Sequence, residues 1–227
     1  MTRGRHFDFW WRAGLLTVAP LYRLLFRLRF EGLDRIPESG PAILAPNHVS
    51  VLDPIAVALA TSARGRPVRF LAAAEFFAHP LWGWGLRRTR HIPVRRGTRD
   101  LGALRQLQEV LQRGGLAGIF PEGRVGVGEL PLRGRSGLVR AALATRVPIL
   151  PVGVWGTQVR WPLGGLTLSR PLRVPVAVVM GDAIHVPDEA ARSPEALREV
   201  TRQVMSSIEA QVIRGRAIAP LSGPPAR

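Results

Sequence analysis

Cysteine is absent from the 227 residues. That excludes disulfides, thiolate metal sites and cysteine nucleophiles, and it fits a reducing compartment. Lysine is absent too: all 32 basic residues are arginine. A bias so complete reads as codon usage in a GC-rich coding sequence. A single arginine therefore carries less weight than the formal net charge of +16. No stretch reaches the roughly 18 uncharged apolar residues that a membrane-spanning helix needs. The longest early apolar run, Ala13 to Tyr22, is flanked by Arg12 and Arg23. No apolar core followed by a small-residue cleavage site opens the chain, so a cleavable signal peptide is not expected. Internal repeats and low-complexity tracts are missing, as is a Gly-x-Ser-x-Gly elbow for a nucleophilic serine. His6, His79, His91 and His185 lack metal-ligand spacing and read as structural or surface residues; no metal is expected.

What is present suits one domain with a real core: 46% of residues are hydrophobic. The positive charge suits phosphates, whether of nucleic acid, anionic lipid or a phosphorylated substrate. Residues 1–30 read as an N-terminal amphipathic, membrane-anchoring segment, 31–215 as the main domain and 216–227 as a flexible tail. Within the first, Phe9-Trp10-Trp11-Arg12 through Leu24-Leu25-Phe26-Arg27 reads as an interfacial helix, with Trp, Leu and Phe at the headgroup boundary and arginines on phosphates. The competing reading is an amphipathic helix packed on its own domain; the Trp and Arg content favours the membrane.

Downstream, strands are expected at Ala42–Ala45, Val68–Leu71, Leu116–Phe120, Ile149–Val154 and Val174–Met180. Helices are expected at Pro54–Ala60 with Asp53 as N-cap, at Thr98–Arg113, at Gly137–Thr145, and from Pro194 behind a Ser193 cap. The apolar stripe of the Thr98–Arg113 helix is Leu101, Leu104, Leu107 and Leu111, and that of the last helix is Leu197, Val200, Val204, Ile208 and Val212. The alternation predicts a single α/β domain with a mostly parallel central sheet flanked by helices.

Chemistry-bearing residues cluster in short blocks. Asn47-His48-Val49-Ser50-Val51-Leu52-Asp53 follows a strand and precedes a helix, where ligand groups gather in α/β sheets. Histidine titrates near neutrality and can remove a hydroxyl proton, while a carboxylate on its other nitrogen fixes the tautomer. On one straight helix His48 and Asp53 would not share a face, so they meet only if the chain turns between them. Taken alone, the pair reads as a surface His beside a helix-capping Asp. Phe120-Pro121-Glu122-Gly123-Arg124 ends another strand and alone reads as a turn. Ile92-Pro93-Val94-Arg95-Arg96 suits a phosphate or a solvated loop. Val147-Pro148-Ile149-Leu150-Pro151-Val152 reads as a buried strand, and Trp82-Gly83-Trp84 suits an acyl channel, a membrane contact or core packing.

In order along the chain, these blocks resemble the glycerolipid acyltransferase family of the lysophosphatidate acyltransferase type. That family carries Asn-His-x-x-x-x-Asp, an Ile-Pro-Val-x-Arg-like block, Phe-Pro-Glu-Gly and Val-Pro-Ile-x-Pro-Val. Residues 47–53, 92–96, 120–123 and 147–152 match in that order, and the resemblance spans about residues 30–185. It implies that His48 is the general base and Asp53 its orienting carboxylate. It also implies that Arg96, Glu122 and Gly123 hold the phosphate end of the acceptor, with Asn47 and Arg124 as further substrate-binding residues. Residues 147–152 would shape the acyl site. Three positions depart from the pattern: Arg124 and Val125 stand where Thr-Arg is common, His91 where Gly is common, and Ala73 where a basic residue is common.

The implied activity is transfer of a fatty acyl group from acyl-CoA or acyl carrier protein to 1-acyl-glycerol-3-phosphate (lysophosphatidic acid), giving phosphatidic acid. No cofactor is implied beyond the acyl donor, and the implied place is the cytoplasmic face of an anionic membrane, peripheral or monotopic. Other acceptors remain open: glycerol-3-phosphate, a lysophospholipid or a glycolipid. A degenerate member without activity is opposed by the intact His48 and Asp53. A non-catalytic protein binding membranes or nucleic acid is favoured by charge alone; the ordered blocks oppose it, and no nucleic-acid partner is expected.

Overall fold

The computed structural model describes residues 9–95, 97, 100–126, 130, 133–162, 165, 167 and 172–221. A seven-stranded sheet runs through its centre. The strands are β1 (Phe26–Glu31), β2 (Ala42–Pro46), β3 (Val68–Ala73), β4 (Ile92–Val94), β5 (Leu116–Gly118), β6 (Ile149–Trp155) and β7 (Val174–Met180). Their spatial order is β1-β7-β6-β2-β5-β3-β4. Neighbours pair in parallel throughout except β6 with β7. The helices are α1 (Phe9–Leu25), α2 (Asp53–Ala63), α3 (Ala74–Ala78), α4 (Pro80–Arg88), α5 (Leu101–Gln112), α6 (Gly137–Thr145) and α7 (Pro194–Ile218).

Helices cover both faces, which is why the central strands are apolar on both sides rather than alternating. Along β2, Ile43 and Ala45 face a core formed with α5, α6 and α7, while Ala42 and Leu44 face one formed with α1 and α2. The α7 stripe of Leu197, Val200, Val204, Ile208 and Val212 is buried throughout, each side chain contributing about 1.5–3 kcal/mol. Gly153 lets α7 press against β6, since a Cβ there would collide with the backbone at Gln211.

The expected α/β class and largely parallel sheet are present, and several boundaries move. The N-terminal helix stops at Leu25 instead of running through Arg27. From Phe26 the sequence alternates Phe-Arg-Leu-Arg-Phe-Glu, a period of two, and these residues form edge strand β1 beside β7. Helix α5 starts at Leu101, because Asp100 caps it by accepting from the Ala103 N–H at 3.0 Å. Leu101 consequently lies outside the stripe and is exposed. Strand β4 and helices α3 and α4 appear where only motif residues were noted. The last helix runs to Ile218; residues 222–227 of the expected tail lie outside the described residues.

Candidate active site

The parallel strands β2, β5 and β6 lie side by side, so their carboxyl ends open on one edge of the sheet. Three chain segments meet there: 47–52 after β2, 119–126 after β5, and 156–161 after β6.

The first segment turns back on itself, and His48 Nδ1 lies 3.0 Å from Asp53 Oδ2. Asp53 is the first residue of α2, followed by Pro54, and it caps no amide of its own helix. Its Oδ2 instead accepts from the N–H groups of Val49 (2.7 Å) and Ser50 (2.8 Å). Its Oδ1 accepts from the Thr157 hydroxyl. Asp53 is fully buried, so these donors replace the water that a carboxylate otherwise needs. The charge is felt nearby: burial, with Asp53 adding to it, pushes the Tyr22 phenol well above its usual range.

The His48 side chain is 14% exposed. With Nδ1 directed at the carboxylate, Nε2 is left as the proton acceptor. The ring stacks on Phe120, centroids 4.1 Å apart and planes inclined by 25°. Phe120 in turn stacks on Phe70 at 5.5 Å. Gly118 makes room for that ring; a Cβ there would collide with Phe70.

The remaining expected residues divide. Asn47 is fully buried and spans β2 and β6: its Nδ2 donates to the Val154 carbonyl (2.9 Å) and its Oδ1 accepts from the Val154 N–H (2.6 Å). Glu122 is buried and its Oε1 accepts from the His48 backbone N–H at 2.7 Å. Gly123 has φ +71°, and Arg135 Nε lies 3.3 Å from where its Cβ would stand. Arg124 is exposed beside this turn. Arg95 follows β4, while Arg96 lies outside the described residues.

Sequence reasoning missed Thr157, Phe120's stacking and Arg135. Arg135 is held near the turn by its N–H donating to the Pro121 carbonyl at 2.8 Å, and its side chain is exposed. The signals were faint: one threonine after a Val-rich strand and one arginine among many. Among the described residues no cluster of His, Asp and Glu could hold a metal ion.

The model of the family named Acyltransferase matches residues 27–155, more than half of the chain. The chain belongs to this family. A lyso-ornithine lipid O-acyltransferase of Pseudomonas aeruginosa is 35% identical over 147 residues, covering 64% of this chain and 52% of that protein. A chloroplastic 1-acyl-sn-glycerol-3-phosphate acyltransferase of Arabidopsis thaliana is 26% identical, covering 86% and 51% respectively. An uncharacterised protein of Mycobacterium tuberculosis is 29% identical, covering 87% of this chain and 65% of its own length. The chain thus spans between about half and two thirds of these relatives. The crystal structure of the 1-acyl-sn-glycerophosphate acyltransferase PlsC from Thermotoga maritima superposes with a TM-score of 0.61 at 24% identity, over 88% of this acyltransferase-family chain and 76% of that one. It shares the fold.

Proposed function

We propose that the chain transfers a fatty acyl group from acyl-CoA or acyl carrier protein to the free hydroxyl of 1-acyl-glycerol-3-phosphate, releasing phosphatidic acid and the free thiol. The observation that carries this reading is the His48–Asp53 contact at the shared strand edge, in a chain of this family. His48 Nε2 takes the hydroxyl proton as the acceptor oxygen attacks the thioester carbonyl. The tetrahedral intermediate collapses, the C–S bond breaks, and the imidazolium returns the proton to the departing thiolate. The buried Asp53 stabilises the imidazolium between these events. General-base assistance of this kind is worth on the order of 10² to 10⁴ in rate. Arg135 and Arg124, beside the Pro-Glu-Gly turn, supply guanidinium donors for an acceptor phosphate, and the family resemblance adds Arg96, which lies outside the described residues.

The acceptor is a membrane lipid, and the surface suits one. No described helix is long and apolar enough to cross a membrane. Helix α1 instead buries Trp11, Ala19 and Tyr22 while exposing Phe9, Leu16, Leu21 and Leu24. Helix α4 exposes Leu81, Trp82 and Trp84. Trp10 meets Trp84 edge-on at 5.2 Å, and the Arg88 guanidinium covers the Trp10 ring at 4.6 Å, joining the two helices. Helices α3 and α4 follow the carboxyl end of β3, the edge that carries His48. We place this face on an anionic cytoplasmic leaflet, apolar residues at the acyl boundary and arginines on phosphates.

The lyso-ornithine lipid relative favours a second acceptor, since an amino-acid headgroup also presents an anion to these arginines. The deciding experiment offers labelled acyl-CoA and acyl carrier protein to the purified protein with lysophosphatidic acid, glycerol-3-phosphate or lyso-ornithine lipid, beside His48→Ala. Phosphatidic acid from the wild type alone supports the proposal. Product from lyso-ornithine lipid alone replaces the acceptor, and full activity in His48→Ala removes the mechanism.

A further inference from the structure

Asp53 divides its two oxygens unequally. Oδ2 accepts from the Val49 and Ser50 amides and faces His48 Nδ1. Oδ1 has one donor among the described residues, the Thr157 hydroxyl, which comes from 104 positions away. Thr157 is fully buried and opens the 3-10 turn Thr157–Val159 behind β6. Its own carbonyl accepts from the Arg160 and Trp161 N–H groups, closing that turn. A threonine entering a helical turn ordinarily accepts from a nearby amide; this one donates out of its turn, to a carboxylate. The turn is fixed in place by Gly156, at φ +98°, where a Cβ would collide with the Pro175 carbonyl. Ser50 Oγ ties the two segments together a second time, donating to the Trp161 carbonyl at 2.7 Å.

A carboxylate held on one oxygen alone can pivot about its χ2 bond, which is broad and soft. Pinning the second oxygen sets the carboxylate plane and with it the direction in which Oδ2 meets the imidazole. We propose that Thr157 is a positioning residue for the base: its hydroxyl fixes the Asp53 carboxylate so that His48 keeps Nε2 directed at the acceptor hydroxyl. This rests on the reading of His48 and Asp53 as the base pair. Thr157 touches neither substrate nor the reacting atoms in this account, so its removal acts on the chemical step and leaves substrate affinity alone.

The test compares Thr157→Val, nearly isosteric but without the donor, with Thr157→Ser, which keeps it. Two readouts are taken on the full chain: kcat and KM for acyl donor and acceptor, and the low-field proton resonance of His48 Nδ1–H, assigned by its loss in His48→Ala. The valine variant is expected to lower kcat about 10- to 100-fold, the usual effect of deleting a hydrogen bond to a charged group, with both KM values within about twofold. Its Nδ1–H resonance moves upfield, because the unpinned carboxylate meets the ring at a poorer angle and the hydrogen bond weakens. The serine variant restores both. A valine variant with wild-type kcat and an unmoved resonance overturns the proposal, as does a serine variant that behaves like valine, or a loss confined to KM. Thr157→Ala takes the place of valine if the valine variant melts far below wild type. If His48→Ala and Asp53→Asn keep full activity, the base reading itself fails; if both are inactive while Thr157→Val works at the wild-type rate, only the role of Thr157 fails.

Discussion

Two neighbouring regions of this molecule invert the usual rule of polar outside and apolar inside, in opposite directions. At the strand edge a carboxylate and two polar side chains, Asp53, Asn47 and Thr157, have no solvent exposure. Beside them, α1 and α4 leave Leu16 at 78% and Trp82 at 54% exposure. Burying a charge is costly unless it is fully bonded, and the bonds at Asp53 come from α2's own leading loop and from the turn behind β6. Exposing large apolar residues in a contiguous face is equally unusual for a chain that stays in water. The first region is over-determined internally; the second leaves its apolar surface uncovered within the described residues. On the proposed reading, the contrast separates a part that would perform chemistry from a part that would meet the lipid.

The sharpest break in this contrast is Asp53→Asn. The amide oxygen keeps the Val49 and Ser50 donors, and the amide nitrogen faces a Thr157 hydroxyl that can accept, so the fold is retained. The charge that stabilises the imidazolium is lost. We expect kcat to fall about 10³-fold with little change in melting temperature, within the range that general-base assistance supplies. Equal activity in the two proteins would show that the buried carboxylate is only structural.

The opposite region is broken by charge. Leu16→Glu combined with Trp82→Glu removes two exposed apolar side chains, each worth about 1.5–3 kcal/mol on entering an apolar phase. Binding to anionic vesicles, measured by co-sedimentation, is expected to weaken about 100-fold or more. Turnover of a water-soluble short-chain acceptor stays at the wild-type rate. Unchanged vesicle binding would remove this face from the membrane.

Both regions were partly legible in the sequence, for different reasons. Gly137–Thr145, Val174–Met180 and the Ser193-capped helix are found where periodicity and capping place them, because those signals are local. That His48 and Asp53 can meet only through a turn of the chain follows likewise from their spacing of five residues. Phe26 and Arg27, the first two residues of the strand Phe26–Glu31, read as helix because Phe26 continues the apolar run from Leu24 and Leu25, and only the β7 edge makes period two the winning pattern. The rest of the site was hidden by distance along the chain. Asn47 meets Val154 and Asp53 meets Thr157 across separations of 107 and 104 residues, and no local pattern encodes such pairings. The fate of Trp82 and Trp84 was open among core, channel and membrane; their exposure removes the core.

A smaller effect probes the seam between the two regions. His91 lies between them: its ring meets Trp11 of α1 at 6.0 Å and Phe70 of β3 at 5.8 Å, and its Nδ1 accepts from the Phe70 N–H. Desolvation, with the Arg69 cation adding to it, pushes its pKa down to about 3. The unfolded chain, with an ordinary histidine pKa near 6.5, binds a proton between these values that the folded chain refuses. Stability from this residue is therefore full above pH 6.5 and falls as pH drops towards 3, by about 1–2 kcal/mol at pH 5. In His91→Asn the side-chain oxygen can accept from the same N–H and has no proton to gain. Its urea midpoint should fall less than that of wild type between pH 7 and pH 5; parallel slopes would show that His91 is not desolvated.

The smallest effect is expected where an apolar ring touches the chemistry. Phe120 lies flat on the His48 imidazole and is backed by Phe70, which itself fills the space over Gly118. Asp53 fixes one edge of the imidazole, but a single hydrogen bond leaves the ring free to rock about that contact. The stacked Phe120 restricts this motion from the face. Aromatic pairs contribute about 0.5–1.5 kcal/mol beyond the area they bury, which bounds the loss at about tenfold. Phe120→Leu preserves most of the apolar volume and removes the flat surface, so kcat should fall several-fold while KM and melting temperature hold. Phe120→Tyr keeps the stack and should keep the rate. A leucine variant as fast as wild type would mean that the buried polar network alone holds the base, and that the aromatic column from Phe70 serves packing only.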